Sequence, residues 1–489
     1  MPDPTPPSLP DAYTQDDYLY RRLGPWPQPS PDHPQGKAPA VVHIPKQEQR
    51  RWNRRIGARY VRQLLTKWPV ALWRAVKKPR YDELDNGAFE RLMLQGIYTR
   101  FLVDTLDPVD KDAFAPLLGT AGPATRWWKM DFTPIGGVKP LEGMYVAPSV
   151  VLVRQDGEDG PMSIAGIYLI QQRLLLEPTD EAYHLAKYFV MQAAAYGILF
   201  TVHPNLHFPF DSINAITKSA VPTSHPLFCL LKPHLTYQLA LNNAVLNNQG
   251  TVISEHPERV PYAPFTARAS EGMMSFFIAG YEGIPGNSAY PEYDYVERPS
   301  RPEGTYLAFL DAYYEPFLTF ARAVADHIGV DDPVVSAWGR YIQRWIGGFA
   351  AGKDVSKDPA ILAEVLAGFM WDVTVAHAAD HQVFGVDIGP HQHCLRLRVP
   401  PPTGKSASFD PKKLVTRFDL FRAHIAEMLF FVPYNVSTLM HTTYEFRELP
   451  LRQAAGRFKE DLRAVEASLA ARDIPRYMAL EEISASIQY

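Results

Sequence analysis

Four of the fifteen histidines are spaced so that they could share one ion. His203 and His207 stand at i and i+4 in TVHPNLHFPFDSIN, and His377 and His381 repeat that offset in FMWDVTVAHAADHQVFG. On an α-helix the offset sets two imidazoles on one face, one turn apart. Two such helices would offer four neutral nitrogen donors, a set that suits iron, manganese or zinc. A single H-x3-H pair arises by chance in a long chain. Two pairs, each in an apolar helix where a lone imidazole costs free energy to bury, make a shared metal the stronger reading. Hydrolytic zinc fits poorly, because a metalloprotease helix carries its glutamate directly after the first histidine, where this chain has Pro204 and Ala378. No G-x-S-x-G elbow, phosphate-binding loop or dinucleotide fingerprint occurs. The donors suit redox chemistry better than hydrolysis.

The elements that must hold these donors are mainly α-helical. Helical periodicity runs over 180–202, 224–249, 307–328, 333–351, 358–384, 410–432 and 450–472. The stretch 145–172 has two β-rich runs joined by DGEDG, the pattern of a hairpin. Residues 1–45 are crowded with proline, which removes backbone donors and predicts a tail or surface strap. Residues 46–489 then read as one domain, opened by a basic helical segment over 46–80 with Arg50, Arg51, Arg54, Arg55, Arg59 and Arg62 among Trp52, Tyr60, Trp68 and Trp73. Such a segment either lies on an anionic membrane surface or packs its tryptophans on the domain beneath a solvated charged face.

Composition bounds the function. A chain of 489 residues, 46% apolar and 21% charged, can bury a large core. Its net charge of −4 gives no hint of a nucleic-acid partner. Two distant cysteines, Cys229 and Cys394, make neither a disulfide framework nor a thiolate zinc site, which fits a reducing cytoplasm. The N-terminus lacks the basic and apolar regions of a secretory signal, and no uninterrupted apolar run reaches about 18 residues.

The stretch from Ala186 and Lys187 through His203 and His207, His225 and Pro226, Leu230 and Leu231, Pro233 and His234 to Leu241 and Asn242 resembles the central ligand region of lipoxygenases. WDVTVAHAADHQVFG resembles that family's second ligand helix, and SVVLVRQDGEDGPMSIAGIYL the two strands ahead of it. The resemblance spans roughly residues 100 to 489. It implies a lipoxygenase-like helical catalytic domain with a small antiparallel hairpin and without the family's N-terminal β-barrel. It also implies a metal site of His203, His207, His377 and His381, completed by the main-chain carboxylate of the last residue, Tyr489, where relatives end in isoleucine or valine. Asp211 stands where many relatives have glutamate and would orient His207 or its neighbours from behind. The three-residue gap between the first two histidines resembles a fungal subclass that can use manganese, so iron and manganese both stand. That gap needs only plain α geometry, whereas the family's commoner four-residue gap needs a π-bulge.

By the same resemblance, the reaction is hydrogen-atom abstraction from the bis-allylic carbon of a polyunsaturated fatty acid by a metal-bound hydroxide, followed by O2 addition to give a hydroperoxide. Ala244 or Val245 would steer its regiochemistry. Phe208, Phe210, Phe369 and Trp371 would line an apolar channel, with plain core packing as their alternative role. Two other readings keep the fold: an oxygenase or hydroperoxide isomerase working on another substrate, and an inactive metal-binding homologue.

Overall fold

The computed structural model of the chain describes residues 22–25, 40–42, 46–77, 84–120, 122–157, 160–207, 210–247, 256–259, 266–273, 304–345, 349–430 and 437–488. Two short strands, β1 (Arg22–Pro25) and β2 (Ala40–Val42), pair antiparallel within the proline-rich region. An open five-stranded antiparallel sheet follows: β3 (Leu102–Val103), β4 (Thr125–Asp131), β5 (Ser149–Asp156), β6 (Met162–Leu169) and β7 (Leu174–Leu176), in that order. Among the described residues no sheet closes into a barrel.

The expected hairpin is β5 and β6, with Val151 opposite Ile167, and it forms the centre of this sheet rather than a free-standing pair. Successive residues of a strand face opposite ways. Accordingly Val151 and Val153 enter the main core, while Val150 and Leu152 pack on Phe114. Strand β4 was not legible because TRWWKMD lacks clean alternation. Its Lys129 is nonetheless tucked in, reaching Asp107 at 3.1 Å and Asp110.

The basic segment is helical: α1 (Lys46–Trp52), a π turn (Asn53–Gly57) and α2 (Ala58–Lys77). Next come α3 (Asn86–Gln95), α4 (Pro108–Ala113) and α5 (Ala115–Leu118). The first ligand helix starts as α6 (Tyr183–Gly197), turns π over Ile198–Val202, and ends as α7 (His203–His207). All but one residue of α6 are buried, as an all-round apolar helix must be. Two of its buried polar side chains donate to partners on other segments: Lys187 to Asn86 at 2.8 Å and to Leu84 O, and Gln192 Nε2 to Tyr145 O at 3.2 Å. At its end Gly197 lies so close under Phe101 that a Cβ would stand 2.6 Å from the ring.

Then follow α8 (Phe210–Ala220), α9 (Pro226–Leu231) and α10 (Gln238–Asn247). A single helix over 224–249 was expected. The structure breaks it at a 3-10 turn, Lys232–Leu235, because Pro233 has no N–H to continue the ladder and Tyr237 takes φ 71°. Likewise 307–328 divides into α11 (Thr305–Ala312) and α12 (Tyr314–Ile328), and α13 (Pro333–Trp345) is shorter than expected.

The second ligand helix runs without interruption through α14 (Pro359–Trp371), a π turn (Asp372–Ala376), α15 (His377–Val383) and a further π turn (Phe384–Ile388). Asp358 caps its start by accepting from Ala360 N. By length and composition this 30-residue stretch could cross a bilayer. It is instead the core helix, largely buried, with Asp372, His377, Asp380 and His381 along it. Finally, α16 (Arg417–Phe430) begins seven residues later than expected, after a 3-10 turn at Pro411–Lys413, and α17 (Leu449–Ser468) precedes the C-terminal tail.

Asp419 anchors the start of α16. It accepts from Arg396 Nε at 2.7 Å, Arg398 Nε at 2.5 Å and Thr416 Oγ1 at 2.6 Å. Burial alone would raise its carboxyl, but these donors outweigh burial and hold it at about 2, against an ordinary value of 3.8. A depressed carboxyl stabilises the fold above its unfolded value and loses that contribution as pH falls. Roughly 2 kcal/mol should therefore be present at pH 5 and above and disappear between about pH 4 and pH 2. Denaturant unfolding across that range should show Asp419→Asn with a flatter profile than the unsubstituted chain.

Candidate metal centre

Both histidine pairs are α-helical, as their spacing requires, but each follows directly on a π turn. A π turn inserts one extra residue and rotates the next turn about the helix axis. Plain α geometry thus holds within each pair, and the π turns come immediately before it, where the spacing gave no reason to expect them.

The four rings meet. Their nitrogen donor atoms all lie within 4.8 Å of one another, the metal-type cluster found among the described residues. His207 Nε2 is 2.9 Å from His203 Nε2 and 3.0 Å from His377 Nε2. The His203 and His381 rings stand 4.6 Å apart between centroids. His207, His377 and His381 are buried and His203 is partly open.

The proton positions decide what these nitrogens can do. Asn242 Nδ2 donates to Asp211 Oδ1 at 2.7 Å and leans on His207 O at 3.4 Å, which turns Asn242 Oδ1 toward His207 Nδ1 at 2.9 Å. His207 Nδ1–H therefore donates to Asn242, and Nε2 keeps a bare lone pair. His381 Nδ1–H donates in the same way to Phe430 O at 3.0 Å, leaving its Nε2 as donor to an ion. Burial first, aided by the neighbouring imidazoles, holds His203 and His377 well below the usual histidine range. Burial likewise lowers His207 to about 4, against a small opposing effect of Asn242, and His381 to about 3.

The bare lone pair of His207 Nε2 faces the Nε2 atoms of His203 and His377 at 2.9 and 3.0 Å, where all three could turn to one cation. Those spacings also match adjacent nitrogens on one ion at bonds of about 2.1 Å. The residues fit a metal.

A second layer locks this arrangement. Gln238 Nε2 donates to His207 O at 2.9 Å, and Asn214 Nδ2 donates to Gln238 Oε1 at 2.9 Å and to Leu235 O. On the other helix, buried Asp380 pairs with buried Arg100 and accepts from Tyr306 OH. At the far end, His234 Nδ1–H donates to Ala485 O at 2.7 Å while its Nε2 accepts from Tyr444 OH at 3.0 Å. Ser486 Oγ bonds Thr236 O at 2.8 Å, and Gln488 Nε2 bonds Ser437 O at 3.0 Å. The tail is thus buried and tied down through Gln488; Tyr489 lies outside the described residues.

No family model matches the chain, and no curated protein matches it in sequence. Solved structures do match. The manganese lipoxygenase of Gaeumannomyces graminis superposes with a TM-score of 0.71 over 96% of this chain and 96% of its own, at 14% identity. This chain has the lipoxygenase fold. The coral 8R-lipoxygenase superposes at 0.68 over 92% of this chain and 78% of its own, at 16% identity. A LOX in complex with arachidonate superposes at 0.69 over 96% and 79%, also at 16%.

Within this lipoxygenase fold the other candidate residues sit as follows. Asp211 reaches His207 through Asn242, and burial raises its carboxyl well above the usual range. Phe210 and Phe369 pack edge to face at 5.4 Å, both buried. Trp371 donates its indole N–H to Leu310 O at 2.9 Å. Ala244 and Val245 are half-buried on α10. Val245, three residues on from Asn242, shares its helix face, whereas Ala244 is turned away. Phe208 lies outside the described residues.

Asn242, Gln238, Arg100 and the Phe430 carbonyl were given no role from sequence. Their signal was a polar side chain inside an apolar run, as in LALNNAVL and YTRFLV, since such a group is buried only with a partner. Asn242→Leu removes the acceptor that fixes the His207 tautomer. Metal affinity should fall by about 10- to 100-fold, measured by competition against a chelator, with helix content unchanged.

Proposed function

We propose that the chain is a non-heme iron or manganese dioxygenase that inserts O2 into the 1,4-pentadiene of a polyunsaturated fatty acid to give a hydroperoxide. The observation that carries this reading is the convergence of four neutral imidazole donors, with the His207 tautomer fixed by Asn242, inside a lipoxygenase fold. His203, His207, His377 and His381 would hold the metal, with the carboxylate of Tyr489 as a fifth donor. Binding of arachidonate, a fatty acid with such dienes, by a structural neighbour supports the substrate class.

When bound, the metal supplies a one-electron oxidant at neutral pH, which hydrogen-atom abstraction from a bis-allylic carbon requires. The chain's part is positional. Asn242 and the Phe430 carbonyl keep the protons of His207 and His381 on Nδ1, away from the donor atoms. His234, Ser486 and Gln488 tie down the tail that would carry the Tyr489 carboxylate, and Phe210 and Phe369, three residues after His207 and eight before His377, pack together as candidates to line an apolar channel. Of the Ala244 and Val245 pair, Val245 shares the helix face of Asn242 and is the better candidate to steer regiochemistry. The two free, buried cysteines suit a reducing, cytoplasmic setting.

The test pairs elemental analysis with conjugated-diene absorbance on linoleate and arachidonate, for the full chain beside a variant lacking Tyr489. About one iron or manganese per chain is expected, with diene formation, and loss of both in the truncated variant. Full metal content and activity without Tyr489 overturn the carboxylate assignment. Stoichiometric metal with no diene product overturns the substrate and points to a hydroperoxide isomerase or an oxygenase of another substrate.

A further inference from the structure

Helix α2 turns an apolar stripe to solvent. Val61, Leu65, Trp68, Leu72 and Val76 follow at steps of three and four, the spacing of one helix face, and are 46% to 66% exposed. Trp73 beside them is 62% exposed. The helix is not short of a core face, since Ala71 is buried on α16 and Tyr60 meets Phe430 at 5.8 Å. Phe418 of α16 is also exposed, and its neighbour Arg417 donates to Ala75 O at 2.7 Å, which extends the patch across both helices. Single exposed apolar residues are ordinary; a contiguous stripe marks a contact surface.

Charge identifies the occupant. Between Lys46 and Lys77 the chain carries ten Lys and Arg but one acidic residue, Glu48, in a protein whose net charge is −4. Glu48 is already paired with Lys218 at 2.8 Å. Arg50, Arg51, Arg54, Arg55 and Arg62 are exposed. A second copy docking through this face would set like charges against each other.

We propose that α1 and α2 form a membrane-docking element for an anionic lipid surface, Trp68, Trp73 and the aliphatic stripe entering the boundary between headgroups and acyl chains and the exposed arginines meeting anionic headgroups. The docked face backs onto α16, whose Phe430 carbonyl holds the His381 proton, so the surface that touches lipid lies one helix from the metal donors. The inference goes beyond the oxygenase reading and does not depend on it.

The test is co-sedimentation of the full chain with vesicles of saturated phosphatidylcholine, with and without phosphatidylserine. Such lipids contain no diene, so the outcome is independent of oxygenase activity. Binding to the anionic vesicles is expected, and at least about tenfold less to phosphatidylcholine alone. Leu65→Ser/Trp68→Ser/Leu72→Ser/Trp73→Ser should lose at least about tenfold on anionic vesicles. Arg54→Gln/Arg55→Gln/Arg62→Gln, which leaves the apolar stripe intact, should do the same. Absence of binding to either vesicle, or full binding by either variant, overturns the proposal. So does a dimer of the unsubstituted chain that the serine variant dissolves, since the stripe would then belong to a second copy.

Discussion

His207→Ala should cost more than about 100-fold in metal affinity, beyond what the loss of an outer partner such as Asn242 costs, and should take conjugated-diene formation with it. His207 is central to the cluster: its Nε2 stands 2.9 Å from His203 and 3.0 Å from His377, so its removal deletes the donor that lies against both. It also strands the Asn242 carbonyl, a buried acceptor whose loss of partner costs about 1 to 3 kcal/mol. His225→Ala is the control. That histidine caps α9 by accepting from Leu227 N at 3.2 Å and takes no part in the cluster, so metal content should hold. Elemental analysis after gel filtration reads both variants, and metal retained by His207→Ala at the unsubstituted level would break the assignment.

Arg100→Met should be the most destabilising single change described here, at about 3 to 5 kcal/mol. Arg100 and Asp380 have 0% and 1% of their side chains exposed. Asp380 sits between His377 and His381 on α15, so the pair holds the second ligand helix from behind. Removing the cation leaves a buried carboxylate without the charge of Arg100, Tyr306 still donating to it, and a loss of that size is a large share of the total stability of a folded protein. Arg100→Met/Asp380→Leu removes both charges and should recover most of the loss. Guanidinium unfolding of the three proteins gives the comparison; a cost under about 1 kcal/mol for the single variant would show that the pair is not holding the helix. Metal content should fall in Arg100→Met and return in the double variant.

The H-x3-H pairs were legible because helix geometry is local: four residues make one turn whatever surrounds them. The same locality made the β5 and β6 hairpin readable from two β-rich runs joined by DGEDG, and the helix expected from 358 starts where Asp358 caps it by accepting from Ala360 N. Broken helices were harder. Pro233 was visible, yet periodicity ran through it, because the residues on either side keep facing the core after the chain changes direction. Strand β4 stayed hidden in part because its buried Lys129 is neutralised by partners about twenty positions away, Asp107 and Asp110. The exposed stripe of α2 could not be told from a core stripe, since spacing shows that apolar residues share a face and not what that face meets.

The sequence by itself determined the donors and their pairing within each helix, the mainly helical character and the concentration of positive charge in α1 and α2. It also determined the absence of a built-in base beside either histidine. Only the tertiary structure decided that the two pairs face each other, 170 residues apart, that π turns precede each of them, and that Asn242 sets the tautomer of His207. The reason is physical. Periodicity is a property of neighbouring residues along one helix, whereas a donor set, a proton position and a buried ion pair such as Arg100 with Asp380 are made across the chain by packing.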